Sequence, residues 1–450
     1  MEKPTGTPII APQEPKGFDA RAVDGAASPD APTRPTVLVV HASVGSGHRS
    51  AALSVEEAFN ILSETNDPAL LQGCCVPEGL TVETLDILDF GRIVFNGNRA
   101  ASMFTGAMRP FYDLTWRYTF TGRLLWGGGT VWSYVMYAKF TEMVRRSKPL
   151  AVVCTHIVAA NVAVSARMIT GQNFPILCVP TDYEVEGLWP HRTTSLFCVA
   201  NETMAETLRP RKVPDENILI TGIPTRNGFR MAYDQGLIRS QFGLPQDKLV
   251  VLVLAGAYLP RPYVHFREAI DKALPSLGHY TGMHFIFVAG DDKQYADHLE
   301  AECREYGVAN ATVVGYVQEM AALMAASDLT ICKSGGLTVT ECLCARVPMI
   351  LLGKTYGQEK SNRRMLTAMG AAMHVTTARE LLETLQHITK YPQQVKGMLI
   401  SGDILRHPEA ALDIARVSFR LIEQARLGAS FQKKKHFLWF YWGKKPAHTR

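Results

Sequence analysis

At 450 residues, with 47% apolar and 20% charged residues, the chain is long enough for two domains with separate cores and has the balance of a soluble globular protein. Its net charge of +5 is too mild to name a partner, and no uninterrupted apolar run approaches the ~18 residues of a membrane-spanning helix. The nine cysteines are odd in number and lack paired zinc spacing, so they read as reduced core residues of a cytoplasmic protein.

Residues 1–35 are rich in Pro, Ala, Gly and Asp without apolar periodicity and read as a disordered leader, without the pattern of a signal peptide. Thr36 to Val40 is a buried-strand run, followed by His41-Ala-Ser-Val-Gly45-Ser-Gly47-His48 and then by Ala51, Ala52, Val55, Ala58, Phe59 and Leu62 at helical spacing. Strand, glycine turn and helix make either an anion cradle or a seat for His48. At a helix start the positive dipole end holds an imidazole neutral, as a general base requires; a capping histidine is the plain alternative.

From Asn98 to Arg146 aromatic residues, Phe111, Trp116, Trp126 and Tyr137 among them, alternate with Arg and Lys, the last being Arg145 and Arg146. The mixture suits a segment lying in a membrane interface; single-strand stacking and a core helix with snorkelling cations are the alternatives. Short apolar runs at Leu150 to Thr155, Ile176 to Pro180 and Leu196 to Ala200 continue a parallel sheet. Asp182 follows the second of them, as an orienting carboxylate or a turn residue.

A polar stretch from Asn227 to Lys248 leads to a second half opening with the strand Leu249 to Leu254. Leu329 to Cys332 reads as a buried strand, Ser334-Gly335-Gly336 as a turn, and Thr338 to Ala345 as a helix whose free N–H groups face an anion. Glu341, one turn in, suits the hydroxyls of a ribose. Val347 to Gly353 is a further strand, and Thr355 to Asn362 a polar loop at its carboxyl end, which places Gln358 and Glu359 to read sugar hydroxyls. Glu409 to Leu427 is an amphipathic helix, with Ala411, Ile414, Val417, Leu421 and Ala425 on one side. The tail sets Phe437 to Trp442 between Lys433-Lys434-Lys435 and Lys444-Lys445. With Trp439 and Trp442 this reads as a membrane anchor, against a disordered or core-docked tail.

Gly45-x-Gly47-His48, Thr181-Asp182 with Trp189 and His191, Gly335-Gly336-Leu337-Thr338 with Glu341, and Gly357-Gln358-Glu359-Lys360 with Asn362 together resemble the processive diacylglycerol β-glucosyltransferases and monogalactosyldiacylglycerol synthases, relatives of MurG in glycosyltransferase family 28. The resemblance runs from Thr36 to Ala425. It implies an α/β fold of GT-B type, two Rossmann-like domains with parallel sheets facing across a cleft. The expected division is a 36–230 acceptor and membrane-facing domain, a 245–405 UDP-sugar domain, a 406–428 helix and a 429–450 basic-aromatic tail. It also implies His48 as base, with Asp182 orienting either His48 or the acceptor. Gly256, Ser334, Gly335, Gly336, Thr338, Glu341, Gln358, Glu359 and Asn362 are expected at the donor, and Gly45, Gly47, Trp189 and His191 at the acceptor side. Gly256 is read as allowing close backbone approach. Glu186 stands where relatives commonly carry a His, which puts that residue's role here in doubt.

The implied activity is inverting transfer of a hexose, glucose before galactose, from a UDP-sugar to diacylglycerol at the cytoplasmic face of the membrane. No metal or other cofactor is expected, and no nucleic acid. The alternatives are N-acetylglucosaminyl transfer to a polyprenyl-linked acceptor and a UDP-sugar sensor without turnover. Glucose over galactose rests only on which relatives the motifs resemble.

Overall fold

In a computed structural model, residues 34–91, 135–185, 189–256, 264–355 and 357–432 are described. They build two parallel sheets of six strands each. The first contains β1 (Thr36–His41), β2 (Thr81–Asp86), β3 (Ala151–Cys154), β4 (Ile176–Cys178), β5 (Leu196–Val199) and β6 (Ile218–Ile220), in the order β2-β1-β3-β4-β5-β6. The second contains β7 (Leu249–Leu254), β8 (Met283–Val288), β9 (Ala311–Val314), β10 (Leu329–Cys332), β11 (Met349–Leu352) and β12 (Ala372–Val375), in the order β12-β11-β10-β7-β8-β9. This is the GT-B architecture expected from the motifs.

The central strands are apolar along their length because helices cover both faces of a parallel sheet, whereas the edge strands β2, β6 and β9 are largely uncovered and β2 is mostly polar. In β1 and β3 every residue is buried, and the two pair with Val37 opposite Ala151 and Val40 opposite Cys154. In each sheet the chain changes direction once, between β1 and β3 and between β7 and β10. Open α/β sheets present their ligand crevice outside the carboxyl ends of the strands at such a point.

Five helices matter for the site. α1 (Ser46–Glu64) buries Ala51, Ala52, Val55, Ala58, Phe59 and Leu62, the stripe expected from the sequence. α2 (Ile157–Thr170) is capped by the His156 side chain, which accepts from the Val158 N–H, and ends at Gly171 with φ +71°. α3 (Gly336–Cys344) begins two residues before the expected Thr338. α4 (Gln358–Ala368) replaces the second half of the expected polar loop, so Gln358, Glu359 and Asn362 lie on a helix.

α5 (Ala410–Arg426) packs against α1 in the first half, with Phe419 edge-on to Phe59 at 5.2 Å between ring centroids. Its buried side is Ala411, Ile414, Ala415, Phe419 and Ile422, whereas Val417 and Leu421 are only partly covered. The stripe is therefore rotated from the one read in the sequence. The C-terminal helix completes the core beneath β1 and β3, so a segment after the second sheet in sequence stabilises the first.

Only the end of the aromatic-basic segment is described. Tyr137 precedes the helix Ala138–Ser147 and is buried with Phe140 and Val144 against α2, while Arg145 and Arg146 pair with Glu142. Tyr137 is thus a packing residue, and the two arginines lie on the surface. Phe111, Trp116, Trp126, Glu186, Lys433, Lys434, Lys435, Trp439 and Trp442 lie outside the described residues.

Candidate active site

The loop leaving β1 turns through Gly45 at φ +117°, a left-handed conformation that favours glycine, and delivers His48 to the first turn of α1. The His48 ring is held by its own half of the molecule. Nδ1 lies 3.1 Å from the Thr155 carbonyl oxygen and 2.8 Å from Thr181 Oγ1, and the Thr155 hydroxyl donates back to the His48 carbonyl at 2.9 Å. A carbonyl can only accept, so Nδ1 carries the proton, which leaves Nε2 with a lone pair. Burial lowers the pKa of the ring below its ordinary value, with the Asp182 carboxylate and the Thr155 carbonyl opposing it. Desolvation is the largest of these contributions.

His156 stands edge-on to His48 with centroids 4.7 Å apart. Its Nδ1 accepts from Val158 N at 3.2 Å, so a neutral ring keeps its proton on Nε2, and burial holds it well below the usual imidazole range. One cavity is bordered by both histidines together with Thr181, Asp182, Trp189 and Gln358.

Asp182 follows β4 and reaches across the cleft. Its carboxylate accepts from the Gly336 N–H at the start of α3 and from Asn362 Nδ2 at 2.8 Å. Burial raises its pKa; these two hydrogen bonds and His48 oppose that rise, and Glu184 adds to it. The halves touch closely here: a Cβ on Gly336 would stand 2.0 Å from the Thr181 carbonyl oxygen. Of the two glycines in the turn, only Gly336 is required by close approach; Gly335 has φ −66° and open space around it. The first N–H of α3, expected to face an anionic ligand, thus lies beside a carboxylate of the opposite half.

A second cavity opens at the ends of β10 and β11, bordered by His265, Lys333, Ser334, Lys354 and Glu359. Lys333 Nζ lies 3.9 Å from Glu359 Oε1, and the buried Ser334 hydroxyl donates to the Glu359 carbonyl at 3.0 Å. The neighbours Gln358 and Glu359, expected to act together, therefore border different cavities, because successive residues of a helix point about 100° apart.

Asn362 is fully buried and its amide is occupied, donating to Asp182 and to the Ser334 carbonyl at 3.0 Å and accepting from Tyr183 N at 2.9 Å. It contacts both halves rather than opening to a ligand. Glu341 lies beyond the first turn of α3 and borders neither cavity; burial pushes its carboxyl up to about 8, against the pull of Arg226. Thr338 is half-buried in the first turn of α3.

Gly256 shows the close backbone approach expected of it, toward its neighbour loop: a Cβ there would meet the Ala289 carbonyl carbon at 2.1 Å. Gly47 has Leu337 Cβ as its nearest neighbour, at 3.8 Å from an added Cβ. Trp189 is buried in the wall of the His48 cavity. His191 stacks on Phe197 at 5.8 Å and accepts from Arg211 at 3.2 Å, which makes it a packing residue behind that wall.

Sequence reading missed Thr155 and His156 as neighbours of the base, and His265, Lys333 and Lys354 as lining of the second cavity. Thr155-His156 directly after a buried strand was the available signal, since side chains at the carboxyl ends of parallel strands converge. Lys333 and Lys354 fall in the stretch read as the donor side, but nothing local singled them out, and His265 lies far from it in sequence.

Two family models match the chain, Monogalactosyldiacylglycerol (MGDG) synthase over residues 100–225 and Glycosyltransferase family 28 C-terminal domain over residues 250–399. Residues 250–399 thus carry the C-terminal domain of glycosyltransferase family 28. The chain is similar to proteins named processive diacylglycerol β-glucosyltransferase. It is 24% identical to that of Bacillus cytotoxicus over 85% of this chain and 93% of the relative. It is 30% identical to that of Bacillus subtilis over 49% and 56%, and 26% identical to that of Staphylococcus saprophyticus over 56% and 63%. The matches to the last two thus span little more than half of those relatives. Among solved structures it resembles Acinetobacter baumannii MurG, with TM-score 0.52 and 18% identity over 85% of this chain and 98% of that one. It also resembles a UDP-GlcNAc 2-epimerase from Neisseria meningitidis, with TM-score 0.54 and 14% identity over 86% and 99%. These likenesses establish the fold.

Proposed function

We propose that the protein is an inverting glycosyltransferase that moves a hexose, glucose rather than galactose, from a UDP-sugar to the free hydroxyl of 1,2-diacylglycerol. The observation that carries this reading is the His48 ring, its Nδ1 proton committed to Thr155 and its Nε2 free to accept, in a cavity shared with Asp182 and with Gln358 from the opposite half. The names of the relatives supply the glucosyl group and the diacylglycerol acceptor, and the UDP carrier rests on the motif resemblance.

The lipid hydroxyl gives its proton to His48 Nε2 as its oxygen bonds to the anomeric carbon. The bond from that carbon to the UDP oxygen breaks, and its electron pair leaves on the diphosphate. Attack from the face opposite the leaving group inverts the anomeric centre to a β-glycoside. Asp182 balances the charge gained by the imidazole. Lys333 and Lys354, which border the second cavity at the carboxyl edge of the second sheet, would stabilise the negative charge that develops on the departing diphosphate. Gln358 orients the sugar from the base side and Glu359 from the lysine side, with Glu341 deeper along α3 as the ribose residue.

With lysines at the leaving group, turnover needs no divalent ion, and activity persisting in excess chelator checks this. Among the described residues no helix is long and apolar enough to cross a membrane. The protein works as a peripheral protein at the cytoplasmic face, where UDP-sugars and diacylglycerol meet, and binding to anionic liposomes tests that.

The deciding assay supplies radiolabelled UDP-glucose and UDP-galactose in parallel to diacylglycerol in anionic mixed micelles, with thin-layer separation of the lipids. A labelled glycolipid from UDP-glucose supports the reading, and one from UDP-galactose alone corrects the sugar. Absence of labelled lipid despite UDP binding overturns it in favour of a polyprenyl-linked acceptor or a sensor.

A further inference from the structure

We propose that Asn362 is a positioning residue for the transfer reaction, holding the Asp182 carboxylate at once beside His48 and on the first N–H of α3, so that base and donor helix keep one register across the cleft. The inference rests on the proposed transfer, in which His48 is the base.

The orientation of the Asn362 amide follows from its neighbours. Tyr183 N–H can only donate, so the atom 2.9 Å from it is the amide oxygen; the Ser334 carbonyl can only accept, so the atom 3.0 Å from it is the nitrogen. The second hydrogen of that nitrogen goes to Asp182 Oδ1 at 2.8 Å. With the side chain fully buried, both hydrogens and the carbonyl are spent, and none of the three bonds goes to open space.

Neighbouring residues make the same join. The Thr340 hydroxyl donates to the Gly336 carbonyl at 2.7 Å, so the Tyr183 hydroxyl is the donor in its 2.9 Å bond to Thr340. The Ser361 hydroxyl donates to Glu184. Residues 182–184 of the first half are therefore fastened to α3 and α4 of the second at three successive positions, and among the described residues Asn362 is the member whose side chain bonds the carboxylate next to the base. Without its amide, Asp182 keeps the Gly336 N–H but loses a hydrogen bond that favours its ionised form, beside the like charge of Glu184. His48 then loses part of the anion that sustains its proton affinity. The other titratable groups around that ring are His156 at the start of α2, His41 at the end of β1 and Glu184, which borders the same cavity, and none of them touches Asn362 in any described contact.

The test compares wild type with Asn362→Ala and Asn362→Asp in three readouts. In Asn362→Ala we expect kcat for glycolipid formation to fall about 30-fold, with the KM for UDP-sugar and the Kd for UDP held within about threefold, the signature of an interaction used in the transition state rather than in binding. Asn362→Asp sets an oxygen against Asp182 and Ser334 and loses at least as much. In the unliganded protein, the His48 ring signal in a labelled-histidine NMR titration moves its midpoint to lower pH in Asn362→Ala. A donor KM that rises while kcat stays unchanged, or a His48 midpoint that stays in place, overturns the proposal. If Asn362→Ala fails to fold, Asn362→Ser, which can retain one bond, is expected to show the same pattern in smaller measure. The titration and UDP affinity do not depend on the acceptor, so a wild-type protein inactive on diacylglycerol would count against the proposed function and leave the role of Asn362 separately decided.

Discussion

The Thr155 carbonyl oxygen lies 3.1 Å from His48 Nδ1 while the Thr155 hydroxyl donates to the His48 carbonyl at 2.9 Å, so one residue after β3 fixes both the tautomer and the backbone of the residue that would act as base. His48→Ala should reduce transfer by two to four orders of magnitude, the usual reach of a general base, with UDP affinity unchanged. Steady-state kinetics with isothermal titration check this.

The same ring sets the acid side of the pH profile. It must be neutral to accept a proton, and burial places its pKa below 6.5, so the acid limb of kcat/KM should have its midpoint below pH 6.5. In a Thr181→Val variant one neighbour of Nδ1 is lost but the Thr155 carbonyl remains, and the limb should stay below that value. A midpoint above 6.5 in the wild type would contradict the burial argument.

Glu341 links stability to pH in the opposite sense from an ordinary carboxylate. Its folded pKa is pushed up to about 8 from 4.5, so between those values the folded protein holds a proton that the unfolded chain has released. Stability therefore falls as pH rises from 4.5 toward 8. Glu341→Gln should flatten that decline and raise the melting temperature at pH 8 more than at pH 5, while weakening UDP binding if the side chain holds the ribose. Melting curves across pH and a UDP titration read the two effects apart.

At Gly336 a Cβ would stand 2.0 Å from the Thr181 carbonyl oxygen, a clash that only movement of the two halves can relieve. Gly336→Ala should lower both the melting temperature and turnover. Gly335→Ala, whose new Cβ meets nothing nearer than Thr338 Oγ1 at 3.9 Å, should melt like wild type. Calorimetry on the two variants is the comparison.

Phe419 tests whether α5 is structural. It is 1% exposed and edge-on to Phe59 across α1, so Phe419→Ala should cost about 3–5 kcal/mol in urea unfolding, the range for a buried Phe emptied to a cavity.

The sequence alone carried the fold. The central strands appear as short apolar runs because strands covered on both faces must be apolar throughout, whereas the edge strands β2, β6 and β12 were not read; α1 announced itself by the spacing of Ala51, Val55, Phe59 and Leu62. Gly45-x-Gly47-His48 and the stretch from Lys333 to Asn362 marked the two sides of the cleft, because glycine turns at strand ends are local features. What meets across the cleft was not legible. Asn362 read as a ligand contact, and only the approach of Thr181 and Asp182 to α3 turned it into a bond between halves. The group beside the Gly336 N–H is a carboxylate from 154 residues earlier in the chain, which no local pattern encodes. Gln358 and Glu359 parted into two cavities because the segment is helical, a choice made by packing rather than by propensity. α5 returned to the first half because its apolar face fits α1, and complementarity between two distant surfaces exists only once both are folded.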